Sequence, residues 1–295
     1  LFHVFKNSDS WDGYDFRSAF LRTLFEHGIF CERYIEDYGI NGNHCTADAG
    51  ALVFVGLFFG VSKRAIHWQE FGWHKLNQEL PRQVPADGAD FEGSVAYHRF
   101  VAEMFFWPAR YRQVCGQDVS NSYQQHLLSM ADYTEAYTRP DGLVPLSGDA
   151  DDGRVLPFGG QSLNDHSYLP DLMRAGGEIF ASVAARGEIF WTYGAENSSE
   201  KNKTTPTSRC FTDVGSYIMA SEQDHVFIDC GPVGYADRGG HGHNDCLSFE
   251  AYLDGVSLIT DSGTYVYTAS YEERNAFRST AAHNTPVING EEQNR

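Results

Sequence analysis

RGGHGHNDCLSFEAYLDGVSLIT, residues 238–260, holds two signals in one stretch. Its second half alternates aromatic, apolar and polar residues on either side of Asp254-Gly255. That pattern reads as two antiparallel strands joined by a two-residue hairpin. Its first half sets His241 and His243 two residues apart, among Gly239, Gly240 and Gly242 and ahead of Asn244 and Asp245. Residues i and i+2 of a strand face the same side, so the two imidazoles are expected to be presented together.

Outward from this stretch, the chain has two textures. From about residue 205, CFTDVGSYIMASE, HVFIDCGP, CLSFEAYLDG, VSLITDSGTYVYT and TPVING are short β-rich runs cut by Gly, Asp and Pro. Before about residue 190, apolar residues recur at helical spacing in five segments: FRSAFLRTLFEHGIFCERYIEDY, ADAGALVFVGLFFGV, AIHWQEFGWHKLNQEL, EGSVAYHRFVAEMFFWPARYRQV and SYQQHLLSMADYTEAYT. Short turn-rich loops join them, as expected of antiparallel helical hairpins. The expected division is a helical part over 1–195, a polar linker over 196–208 (ENSSEKNKTTPTS lies here) and an antiparallel β part over 209–295. The fold class is α+β, with more than one domain.

The formal net charge is −18 over 295 residues. That argues against nucleic acid as a partner, because phosphate binding needs a basic face. No apolar run is long enough for a membrane span; ALVFVGLFFGV, residues 51–61, reads instead as a buried helix. None of the six cysteines falls in a CxxC pair, which argues against a cysteine zinc site or a thioredoxin motif. The chain starts at Leu1 and ends on NGEEQNR, and it reads as an internal piece of a longer protein.

Four constellations carry chemistry. The histidine pair, with Asp261 after VSLIT and His283 in STAAHNTPVING, makes a two-His, one-Asp set with an open position that suits zinc. The competing reading is a hydrogen-bonded loop. In GINGNHCTAD, Asn41, Asn43 and His44 precede a helix with Thr46 as a candidate N-cap; they either bind an anion or serve as turn chemistry. In DGADFEGSVAYHRF, Tyr97 either lines the core or acts as an acid or base. LSGDADDGRV, residues 146–155, lacks the twelfth-position Glu of a calcium-binding EF-hand loop and reads as a tight acidic turn.

Taken in order, NGNHCTAD, QVPADGADFEGSVAYHRFVAE, GDADDGR, GGHGHNDCLSFEAYLDGVSLITDSGTYVY and RNAFRSTAAHNTPVING resemble the heparinase II/III family of polysaccharide lyases. The resemblance runs from about residue 40 to 295. It implies an incomplete α/α toroid followed by an antiparallel β-sandwich. It implies β-elimination on a uronic-acid polysaccharide: Asn43 with His44 neutralises the uronate carboxylate, and Tyr97 and His241 serve as acid and base. Tyr265 and Arg278 become candidate substrate contacts. His243, Asp261 and His283 match a zinc set that is structural or supportive. A periplasmic or secreted location is usual in the family.

The acidic balance conflicts with an anionic substrate unless cations gather locally, and Arg99, Arg110, Arg112, Arg238, Arg274 and Arg278 are the candidates. It favours a weakly charged glycan over a sulfated one. Fewer helical hairpins precede Tyr97 than the family's toroid has. The alternatives are a non-catalytic glycan-binding or polysaccharide-biosynthesis-associated protein of the same fold, and a zinc-dependent glycan hydrolase.

Overall fold

The computed structural model describes residues 5–175, 180–181, 186–194, 199–200, 206–233 and 240–294. The chain forms two compact units. The first takes Leu1–Glu79 and Trp107–Val119; the second takes Leu80–Phe106 and Ser120–Arg295. Most of the expected linker, and Arg238, lie outside the described residues.

Five of the described helices follow the expected periodicity. The helices are α1 (Asp9–Asp12), α2 (Tyr14–Arg33), α3 (Asn43–Phe59), α4 (Lys63–Gln83), α5 (Val95–Val114), α6 (Asn121–Tyr137), α7 (Tyr168–Arg174), α8 (Arg186–Tyr193) and α9 (Tyr271–Arg278). No described helix is long and apolar enough to cross a membrane. The first unit's core joins Leu52 and Val55 of α3 to Trp68 of α4, with Leu24, Phe25 and Ile29 of α2 packed against them. Gly56 permits this approach: a Cβ there would lie 2.7 Å from the Ala65 carbonyl. Helix α3 begins at Asn43 with Gly42 at its N-cap, so Thr46 is not the cap. Its hydroxyl instead bonds back to the Gly42 carbonyl at 3.4 Å.

In the second unit, β3 (Arg209–Phe211), β4 (Ser216–Ala220), β5 (His225–Asp229), β6 (Phe249–Leu253) and β7 (Val256–Ile259) form one antiparallel sheet in sequence order. The run read as CFTDVGSYIMASE is two strands, turning at Gly215 with φ 79°. The hairpin closes at Asp254-Gly255, both at positive φ, with Leu253 opposite Val256. TPVING is not a strand, since only an isolated bridge joins Ile288 to Glu291. Alternation sends Phe211, Ile218 and Phe227 to one face, where they pack on Tyr133 and Tyr137 of α6 and on Val95 of α5. The opposite face leaves Met219, Phe249, Val256 and Leu258 exposed. Apart from this sheet, the described strands form only a short parallel pair, β1 (Phe180–Ala181) with β2 (Ser199–Glu200).

Candidate active site and metal centre

The second unit builds its site around Asp149. The loop carrying it is tied down by backbone bonds. Val95 N donates to Ser147 O at 3.1 Å, and Asp149 N donates to His241 O at 2.8 Å. Gly148 sits at φ +77°, where a Cβ would meet the Gly93 carbonyl at 2.5 Å. Only glycine lets the loop lie this close to the start of α5. Asp149 is thereby fully buried, with both carboxylate oxygens committed. Oδ1 lies 3.1 Å from Nε2 of His243. Oδ2 lies 3.5 Å from Nδ1 of His241 and accepts from the Arg274 guanidinium. Burial alone would raise the Asp149 pKa. Hydrogen bonds from His241, His243 and Arg274 overcome it and hold the carboxyl below its ordinary value.

Residues 240–248 are not strand, and β6 begins only at Phe249. The same-side expectation for the two histidines therefore fails, and each lies against a different oxygen of Asp149. His241 stacks on Tyr97 with ring centroids 3.5 Å apart and planes 10° apart. Its Nδ1 lies 3.3 Å from the Tyr267 hydroxyl, and its Nε2 lies 3.7 Å from Glu92 Oε2. Tyr97, on α5, is buried and donates its hydroxyl to Asp151 Oδ2 at 2.8 Å. Burial, then hydrogen bonding to Tyr267 and Asp151, pushes its pKa well above the usual phenol value. This face therefore presents a protonated phenol beside an imidazole.

On the other side, His243, Asp245 and His283 are buried, and each offers a ligand atom within 4.8 Å of the others. Nδ1 of His243 and Nε2 of His283 are buried with no hydrogen-bond partner among the described residues. Two orphaned imidazole nitrogens beside a carboxylate fit a metal ion of zinc's preferences. Asp261 does not join that group. Its Oδ2 lies 2.7 Å from His283 Nδ1, and its Oδ1 accepts from Gly263 N at 2.8 Å. Asp149 on His243 and Asp261 on His283 occupy the place of carboxylates that orient ligating histidines. Burial would lower the His283 pKa, but the hydrogen bond and charge of Asp261 raise it.

The other expected residues fall as follows. Asn43 and His44 belong to the first unit: Asn43 is buried at the first turn of α3, and His44 is exposed with Nδ1 3.1 Å from Glu36. Arg278 donates to the Gly242 carbonyl at 3.0 Å, bracing the histidine loop. Tyr265 is exposed at φ 58°, its ring 5.1 Å from that of Phe277. Arg99 is not a surface cation: it is buried, donating to the carbonyls of Leu163 and Gly153. Arg112 lies over the Trp73 ring, at 4.4 Å, in the first unit, where Arg110 also belongs. Sequence reasoning missed the roles of Asp149, Asp151, Tyr267, Glu92 and Asp245. The available signal was the order of GDADDGR with the histidine stretch; turn chemistry alone did not expose it.

The profile described as Heparinase II/III N-terminus matches residues 1–157, and that described as Heparinase II/III-like, C-terminal, matches 203–295. A heparin-sulfate lyase of Bacteroides stercoris is 25% identical over 297 residues, covering 98% of this chain and 41% of the relative. One from Pedobacter heparinus is 23% identical, covering 98% and 42%. The chain thus spans about two fifths of the length of the curated relatives it matches. A crystal structure of heparinase III superposes with TM-score 0.78 at 19% identity, over 99% of this chain and 45% of the other. A heparan sulfate lyase structure from Pedobacter heparinus gives 0.64 at 21%, over 96% and 42%. At such identities the structures speak for the fold: a helical part with an antiparallel sheet.

Proposed function

The chain belongs to the heparinase II/III family, and from that premise we propose that it is a polysaccharide lyase cutting a uronic-acid glycan by β-elimination. The observation that carries the reading is the Tyr97–His241 stack, with the Tyr97 hydroxyl held by Asp151. Elimination needs a base for the C5 proton and an acid for the departing 4-oxygen. A phenol whose pKa is raised keeps its proton at neutral pH, so Tyr97 enters the cycle as a donor rather than a base. His241 then supplies the base: Asp149 beside Nδ1 and Glu92 beside Nε2 are carboxylates placed to stabilise the imidazolium that forms when it takes the C5 proton. The uronate carboxylate must also be neutralised as charge develops on it. Asn43 and His44 take that role by family likeness, and Tyr265 and Arg278 remain candidate substrate contacts on the same ground. The complete fold in this reading is a helical toroid with a β-sandwich.

His243, Asp245 and His283 would hold a zinc ion, oriented by Asp149 and Asp261. Bound there, zinc would crosslink the histidine loop and so fix His241, as a support. The relatives' names put heparan sulfate first among substrates to test. A weakly charged uronate chain, which the net charge favours, comes second. A periplasmic or secreted location accompanies either.

The test is the ultraviolet absorbance of the unsaturated uronate. Heparan sulfate, chondroitin, hyaluronan, alginate and bacterial exopolysaccharides are assayed beside Tyr97→Phe. A rising signal with one glycan, reduced about 10²–10⁴-fold in the variant while its thermal unfolding midpoint is retained, is the expected result. Saturated new reducing ends would overturn the elimination reading in favour of hydrolysis.

A further inference from the structure

Asp151 stands in a loop that sequence reasoning treats as turn chemistry, yet its carboxylate is divided between two tasks. Oδ1 accepts from Gly153 N at 3.0 Å, and Oδ2 accepts from the buried Tyr97 hydroxyl at 2.8 Å. The loop is fixed from beneath. The buried Arg99 donates to Gly153 O at 2.8 Å and to Leu163 O at 2.5 Å. Next to Asp151, Asp152 is held at φ 62°, a left-handed conformation uncommon outside glycine. Tyr97 is 4% exposed, whereas Asp151 is an exposed residue. A buried phenol is therefore joined by one hydrogen bond to a carboxylate that meets water.

We propose that Asp151 is the positioning residue of Tyr97 and its proton port, connecting the buried phenol to bulk water between turnovers. This rests on the lyase reading. In each cycle the Tyr97 O–H bond breaks as its proton passes to the glycosidic oxygen, which leaves with the electron pair of the C4–O bond. The phenolate then takes a proton from the Asp151 carboxyl, which has taken it from water. The C5 proton leaves through His241 to water. One proton enters and one departs for each bond cut, and nothing is oxidised or reduced. The carboxylate also aims the phenol: its hydrogen bond fixes the hydroxyl oxygen and keeps the ring in the plane that stacks on His241, and the hydroxyl hydrogen turns to the glycosidic oxygen as it is transferred.

The experiment compares wild type, Asp151→Ala and Asp151→Asn on heparan sulfate and on whichever uronate glycan of the panel the wild type cuts best. Product is followed by ultraviolet absorbance in steady state and in single turnover with enzyme in excess, with and without added formate. Asp151→Ala should lose about tenfold or more in steady-state turnover and less in single turnover, because the first proton is already on Tyr97. Formate, filling the vacated space as a small carboxylate, should restore most of the loss. Asp151→Asn keeps the acceptor for Gly153 N and the volume, so it should fold as wild type, stay slow in steady state and ignore formate. Turnover of Asp151→Ala within twofold of wild type overturns the proposal. So does an equal loss in both regimes with no formate response, because a scaffold residue behaves that way. A wild type inert on every glycan removes the lyase reading and the proposal together; an active wild type with an indifferent Asp151 removes only the proposal.

Discussion

His241 and His243 are separated by one glycine and bonded to opposite oxygens of the same carboxylate, yet their surroundings differ in kind. The His241 side chain keeps 14% of its surface exposed, lies flat on a tyrosine and has Glu92 near Nε2. The His243 side chain is fully buried, and its second nitrogen faces a histidine and an aspartate rather than a hydrogen-bond partner. In the proposed reading, one exchanges protons and the other holds an ion. The difference shows that residue type and spacing select a chemistry only when the backbone between them is known. Had residues 240–248 been strand, both rings would share a side. As an irregular loop braced by Arg278, they diverge.

Asp149→Ala should break the comparison outright, because both regions lean on that carboxylate. The substitution leaves the Arg274 guanidinium and two imidazoles facing a buried gap, a loss of about 3–5 kcal/mol in urea unfolding, with turnover lost as well. If only one region suffers, Asp149 is not the shared support.

The second prediction sharpens the metal side. His283→Ala and Asp245→Asn should each abolish stoichiometric zinc binding in a competition titration. Asp261→Asn should weaken it by only roughly 10–100-fold, as expected of a carboxylate that orients a ligand. Equal loss in Asp261→Asn and Asp245→Asn would make Asp261 a ligand after all.

The effect that is smallest at neutral pH tests the same divergence one residue along α5. Tyr97 faces the site, and its neighbour His98 faces the core, fully buried. His98 accepts from Asp90 N at 3.1 Å and contacts Thr134 Oγ1 at 3.0 Å. Burial lowers its pKa from 6.5 to about 3. The unfolded chain therefore binds one more proton between those values. The stability this neutral histidine contributes is present above about pH 6.5 and is lost as pH falls toward 3. His98→Gln, which can make the same bonds, should flatten the pH dependence of unfolding in that window by about 1.4 kcal/mol per pH unit.

Much of the fold was legible in the sequence because its signals are local. The runs with apolar residues at helical spacing became α2 to α6, and Asp254-Gly255 became the hairpin. What failed was also physical. TPVING has strand composition but gains no strand partner among the described residues. The helix α9 is eight residues long, rich in charge and without a buried residue, and it lies among runs of strand composition. The site was half legible. Tyr97, His241, His243 and His283 stand out by type and order. Asp149 and Asp151 do not: their partners lie far away in the chain, and a short acidic loop written GDADD looks the same whether its carboxylates meet water or imidazole.

The face-to-face packing of Tyr97 on His241 has a consequence in magnetic terms. An imidazole lying 3.5 Å above a phenol ring sits in the shielding cone of that ring's current. Its carbon-bound protons should resonate upfield of those of the exposed His44. Any rotation of either ring erases the displacement. A histidine resonance would thus record, without substrate, whether the two groups still face each other, and each variant could be read for its assembly before it is read for its rate.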